Sequence, residues 1–274
     1  NAAVTSIACS KNRFTVKTTK REYASSGLIL AAGGASWPAT GSTGDGYKLA
    51  RQLGHVVTKL RPALVPLVAR EQTFAQSMQG VSLRNVRAAA FRGQAEDING
   101  KTMPQVSYGR GEAKQARGIV IESRFGEMIF THFGLGGPII LLMSLAVVEA
   151  LEEGPVSILI DLKPAVPADV LNKRLQKDLN AHGKKKITGI MKEYLPAKMI
   201  EPVISRAGID KETPAHQLSA RQRENIVATL KCLRFNIQGS LPLENAIVTA
   251  GGVALEEIDP RTMASKKISG LYFC

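Results

Sequence analysis

The sequence has 274 residues, 44% hydrophobic and 22% charged, with a formal net charge of +13. This is ordinary globular composition with room for about two domains, and no run approaches the ~18 apolar residues that a bilayer-spanning helix needs. Cys9, Cys232 and Cys274 lie far apart without motif spacing, which argues against a disulfide framework and fits a reducing cytoplasm.

The chain begins at Asn1 and stops inside the apolar run Gly270-Leu271-Tyr272-Phe273-Cys274. A strand needs neighbours for its backbone groups, so both ends read as cuts in a longer protein. Val4 and Ile7 mark a short extended segment. Phe14 and Val16 alternate with polar residues across 12–18, the period of a half-buried strand. The run from Gly27 to Ala32, closed by Gly33-Gly34, reads as a strand buried on both faces of a layered α/β sheet. Tyr47, Leu49, Ala50 and Leu53 share one helical face, with Thr43 or Asp45 to cap its start and Gly54 to end it.

From Arg61 the texture changes to short β-branched runs: Leu64 to Val68, Val81 to Ala90, Gly118 to Ile121, Met128 to Phe130 and Val156 to Leu162, with a helix over Leu141 to Leu151. This predicts a β-rich unit resembling a small barrel. After Pro164 and Pro167, apolar residues fall at helical spacing in three sets, the last behind Ser219-x-x-Gln222, a capping-box pattern. Short strands return near Phe235 to Ile237 and Ile247 to Thr249. The layout is nested. Residues 1–60 and 247–274 form an α/β domain, 61–164 and 236–246 a β-rich insert, and 165–235 a helical insert within it.

Several chemistries find no support. His55, His132, His182 and His216 lack paired zinc-ligand spacing. The nearest approach to a serine nucleophile elbow, Gly34-Ala35-Ser36-Trp37-Pro38, ends in proline. Gly41 to Gly46 mimics a phosphate loop, but Tyr47 holds the lysine position and Asp45 would repel phosphate. The basic residues are scattered. Their densest run is Lys184-Lys185-Lys186, without aromatic interleaving, so solvated lysines on a basic enzyme are favoured over nucleic-acid binding.

Three glycine-rich places remain. Ala32-Gly33-Gly34 follows an apolar strand, where ligands of open α/β sheets bind; a tight turn is the alternative. The loop Trp37 to Gly46 offers backbone N–H groups at a helix start, or is an ordinary capped loop. Thr249-Ala250-Gly251-Gly252-Val253 again pairs glycines behind β-branched residues.

The segments Ala32 to Tyr47, Leu60 to Leu67, Gly126 to Pro138, and Thr249 to Val253 with Glu257 to Lys266 resemble, in order, the signatures of aminoacetone-oxidase-like NAD(P)/FAD-dependent flavoproteins of bacteria. The resemblance implies a discontinuous Rossmann-like FAD/NAD(P)-binding domain, here partial, interrupted by a β-barrel-like insert and a nested helical domain. It implies FAD as cofactor, NAD(P)H or oxygen as redox partner, a small-molecule substrate and a cytoplasmic enzyme without membrane attachment. It also implies a phosphate-binding fingerprint upstream of residue 1 and a flavin motif beyond residue 274. The isolated piece is then expected to be inactive.

Position by position, the resemblance assigns Val4 to the adenine neighbourhood, Ala32, Gly33 and Gly34 to a strand end passing the cofactor, and Gly251 and Gly252 to a turn near the flavin ring. Gly136, Trp37 and Cys274 depart from the family pattern. No catalytic acid or base stands out; His132 is either near the substrate or a structural histidine. A basic module that binds nucleic acid through the helical insert, or a non-functional fragment, are the alternatives.

Overall fold

The structure, a computed structural model, describes residues 2–96 and 120–274. It divides into two compact units, Asn1–Ala63 with Leu241–Cys274, and Leu64–Ser240.

The first unit opens with three antiparallel strands, β1 (Val4–Ser10), β2 (Arg13–Thr18) and β3 (Glu22–Ser25). Lys11 and Asn12, both with positive φ, make the β1–β2 turn, a backbone whose twist matches that of the strands it joins. Cys9 pairs with Phe14 and Ile7 with Val16, so the alternation read in the sequence puts these four on one face, where they join a small core with Leu49, Leu53 and Phe273. Strand β4 (Leu28–Leu30) follows, then helix α1 (Asp45–Gln52) and strand β5 (Arg61–Ala63). Two expectations change here. Gly44, not Thr43 or Asp45, is the N-cap of α1, without a side-chain cap bond; the Asp45 carboxylate is engaged by Thr43 and Lys48 instead. The run around β4 is not buried on both faces, because Ile29 is 67% exposed.

The second unit follows in chain order as β6 (Leu67–Ala69), α2 (Gln72–Ser77), β7 (Ser82–Arg92), β8 (Val120–Phe130), β9 (Gly134–Gly136), α3 (Pro138–Leu151) and β10 (Val156–Asp161). Helices α4 (Ala168–Ala181), α5 (Ile187–Ile190), α6 (Ala197–Arg206) and α7 (Ala220–Lys231) come next, and β11 (Leu233–Ser240) ends the unit. Six strands close a barrel in the order β10-β11-β6-β9-β8-β7, so that among the described residues this sheet has no free edge strand. Of the expected strand Gly118 to Ile121, the first two residues lie outside the described residues and the rest begin β8. Helix α3 packs against all six barrel strands, and buries Ile139, Ile140, Met143 and Val147.

The Ser219–Gln222 capping box forms as the pattern predicts. The helices do not build a core of their own. Leu175, Met199, Ile204 and Leu230 belong to the same buried cluster as Ile158, Phe130 and Phe235 of the barrel, so the boundary expected near residue 165 falls inside one packed unit. Among the described residues, no helix is long and apolar enough to cross a membrane.

The chain then returns to the first unit through β12 (Val248–Ala250) and β13 (Leu271–Phe273). Strand β12 pairs antiparallel with β5, Thr249 opposite Pro62, and β13 runs parallel to β4, Tyr272 opposite Ile29. The segment Arg61–Ala63, expected in the β-rich insert, is therefore a partner of the returning chain.

Candidate functional site

Both glycine pairs are backbone solutions to close approach. Gly33 has φ +71, Gly251 φ +86 and Gly252 φ +133, values that cost an L-residue about 1–2 kcal/mol or more. A Cβ on Gly251 would stand 2.4 Å from the Lys59 carbonyl oxygen. A Cβ on Gly34 would stand 2.7 Å from Thr249 Oγ1, and one on Gly252 3.2 Å from the Tyr47 ring. Only residues without a side chain let these segments pack so closely.

Thr249 fastens the two bends together. Its hydroxyl oxygen accepts hydrogen bonds from the backbone N–H groups of Ala35 at 2.9 Å and Ser36 at 3.0 Å, and stands 3.3 Å from Ser36 Oγ. Thr58 does the same for the second bend: its Oγ1 accepts from Gly252 N–H at 3.1 Å, while Thr58 N–H donates to the Gly252 carbonyl at 2.8 Å. Residues 194 to 214 positions apart are thereby held as one wall.

The result is a cleft of about 570 Å³ inside the first unit, within the size range of small-molecule sites. Gly33, Gly34, Gly251 and Gly252 line it together with Ala32. Ser36, Ser42, Tyr47 and Thr249 give it hydroxyl groups, while Leu30, Ile258, Met263 and Phe273 give apolar surface. Five of the six residues singled out from the sequence are therefore gathered at one place. Val4 is not; it sits on β1, paired with Thr18 and 40% exposed, away from the cleft walls. Tyr47, Thr249, Ser36 and Ser42 lie within the quoted motifs, but nothing in their spacing distinguished cleft hydroxyls from ordinary loop hydroxyls.

His132 is exposed, on the loop after β8, with its ring edge against Phe133. The motif around it has a structural use: Gly137 has φ +84, and a Cβ there would stand 2.8 Å from Met128 Cα. His55 is the buried histidine, 4% exposed and packed edge-on against Phe273. Burial pushes its pKa down, with Glu257 opposing and Lys267 adding to the effect. Among the described residues no group of three or more His, Cys, Asp or Glu side chains is arranged to hold a metal ion.

Comparison with known proteins bears on the barrel and its helices. The family described as HI0933-like protein barrel and H2TH domain matches residues 61–248, well over half the chain. The chain belongs to the HI0933-like family. Its curated relatives include a 3-dehydro-bile acid delta(4,6)-reductase of Clostridium scindens, 27% identical over an alignment of 274 positions that covers 98% of this chain and 60% of the relative. Another is the ribosomal RNA dihydrouridine synthase of Escherichia coli, 27% identical over 98% of this chain and 58% of the relative. A protein of the same name from Haemophilus influenzae is 28% identical over 96% of this chain and 56% of the relative. The chain thus spans a little over half the length of each. The family is thus shown at the level of the HI0933-like proteins.

Proposed function

We propose that the protein containing this chain is a flavin-dependent reductase that saturates a carbon–carbon double bond, with the flavin ring against the glycine bends at 33–34 and 251–252. The observation that carries this reading is the convergence of the two bends on one cleft. The names of the relatives support the reaction class. A delta(4,6)-reductase and a dihydrouridine synthase both add hydrogen across a carbon–carbon double bond, although their substrates differ in size and polarity.

The cleft fits a flat heterocycle with polar edges. Its glycine walls present backbone rather than side chain, because a Cβ at Gly34 or Gly252 would press into Thr249 or Tyr47. Its hydroxyls supply edge partners and its apolar residues supply faces for a ring. When bound, a flavin supplies the two-electron redox chemistry. The residues of this chain hold the walls together through Thr249 and Thr58, and line the cleft with the apolar side chains of Phe273 and Met263. In this reading the cofactor is FAD, the electron source is NAD(P)H, and the partner is a small molecule or an exposed base. The partial Rossmann-like character of the first unit belongs to the same proposal, and its parallel β4–β13 pair supports it. Val4, on its separate sheet, is not needed by it.

The test is direct. The protein purified from its host should carry flavin absorbance and oxidise NAD(P)H when offered an unsaturated 3-keto steroid or a uridine-containing RNA. A colourless protein that takes up no added FAD and turns over neither substrate would sink the proposal.

A further inference from the structure

The Tyr47 ring has a packing role that its hydroxyl does not share. The ring closes against Gly252, with its nearest edge carbon 3.2 Å from where a Cβ would stand. The same close approach would be available to a phenylalanine. The hydroxyl lies between the two bends, 3.6 Å from the Cβ position of Gly34 and 3.9 Å from that of Gly252. Its residue lines the cleft. Among the described residues no group hydrogen bonds to it; outside the helix ladder, the backbone N–H of Tyr47 donates to the Gly44 carbonyl. The hydroxyl is not among the buried polar atoms left without a partner, so it stays reachable from the cleft and open to a partner there.

Thr249, whose side chain meets the Gly34 bend beside that hydroxyl, cannot serve as its partner. Thr249 Oγ1 is already committed to Ala35, Ser36 N–H and Ser36 Oγ. Burial raises the phenol pKa above its ordinary value of 10.0, so the group stays protonated at neutral pH and offers a proton to an acceptor. A donor held by its ring, between two glycine bends, with no protein acceptor, is arranged for a ligand.

We propose that Tyr47 Oη is the hydrogen-bond donor of the cleft, and that it binds and orients the carbonyl or ring-nitrogen edge of a planar heterocyclic ligand. This assignment rests on the flavin reading given above and extends it to a single atom. Tyr47 is a binding and positioning residue; the proposal involves no proton transfer.

The experiment compares the wild-type protein with Tyr47→Phe, using FAD as the probe. Binding is read from quenching of flavin fluorescence, folding from the thermal midpoint without ligand. The expected result is an unchanged midpoint, since the ring contact with Gly252 is kept, and an affinity for FAD reduced about 5- to 10-fold, the usual effect of one hydrogen bond. A second readout uses tyrosine labelled with 13C at Cζ. The resonance missing from Tyr47→Phe identifies Tyr47, and in the wild type it should shift when FAD is added. Equal affinities together with an unmoved Tyr47 resonance would overturn the assignment while leaving the flavin reading standing. A wild type that binds no FAD would overturn both.

Discussion

His55 Nε2 lies 2.8 Å from Ser265 Oγ, across 210 positions of sequence, and the direction of that hydrogen bond is decided by the serine. Ser265 Oγ already accepts the backbone N–H groups of Lys267 at 3.0 Å and Ile268 at 2.9 Å. With both lone pairs engaged, the hydroxyl has only its proton left to offer, so Nε2 accepts and the imidazole is neutral with its proton on Nδ1. Nδ1 is buried and has no partner among the described residues. A protonated ring would place an Nε2–H against an oxygen with no acceptor capacity.

The pH dependence follows from this arrangement. Burial lowers the folded-state pKa of His55 below 6.5, so the unfolded chain takes up a proton first as the pH falls. The contribution is fully present above about pH 6.5 and is lost as the pH drops toward the lower folded value. Thermal midpoints measured from about pH 8 to about pH 5 should fall below pH 6.5 in the wild type, and His55→Leu should flatten that slope. The charged groups facing the ring are Glu257 and Lys267, so the comparison is best repeated in Glu257→Gln. Ser265→Ala should cost about 1–3 kcal/mol at neutral pH, since it strands two backbone donors at once.

Gly251→Ala tests whether the second bend can tolerate a side chain. The new Cβ meets the Lys59 carbonyl oxygen at 2.4 Å, on a backbone with φ +86. The left-handed conformation costs roughly 1–2 kcal/mol and the overlap a further 1–3. Denaturant unfolding should show the loss. Gly189→Ala provides the contrast: nothing lies within 4 Å of its Cβ position and it sits in α5, so stability should hold or rise by up to about 1 kcal/mol.

Lys231, at the end of α7, is tied to the end of β10 by a buried ion pair, its Nζ 2.6 Å from Asp161 Oδ2. The remaining ammonium donors go to the carbonyls of Lys163 and Val166, each at 2.9 Å. Asp161→Ala should destabilise the second unit by about 3–5 kcal/mol, because it leaves a buried ammonium without its counter-ion. Lys231→Met with Asp161→Leu should recover much of that loss, and a double variant as unstable as Asp161→Ala would show the ion pair is not the cause.

The capping box at the start of α7 is a local contribution. Ser219→Ala removes the bond from Gln222 N–H to Ser219 Oγ, and should cost about 1 kcal/mol in thermal or denaturant unfolding. A change well beyond that would mean the serine does more than cap its helix.

What the sequence by itself determined is what neighbours along the chain decide. The alternation of Phe14 and Val16, the Ser219–Gln222 box and the helical spacing of Leu171, Leu175 and Leu179 are set by period and by contacts within a turn or two. All three stand in the structure. The glycine pairs at 33–34 and 251–252 were legible as points of close approach, because only glycine tolerates such backbones. Only the tertiary structure decided what approaches them. Closure of the barrel through β7 and β10, the Thr249 bridge to Ala35 and Ser36, the unbonded hydroxyl of Tyr47 and the neutral state of His55 all depend on pairings across tens to hundreds of residues. Local propensity carries no term for such contacts. Ile29 shows the same limit from the other side: an apolar run predicts a strand, but whether both faces are covered depends on which elements pack against it.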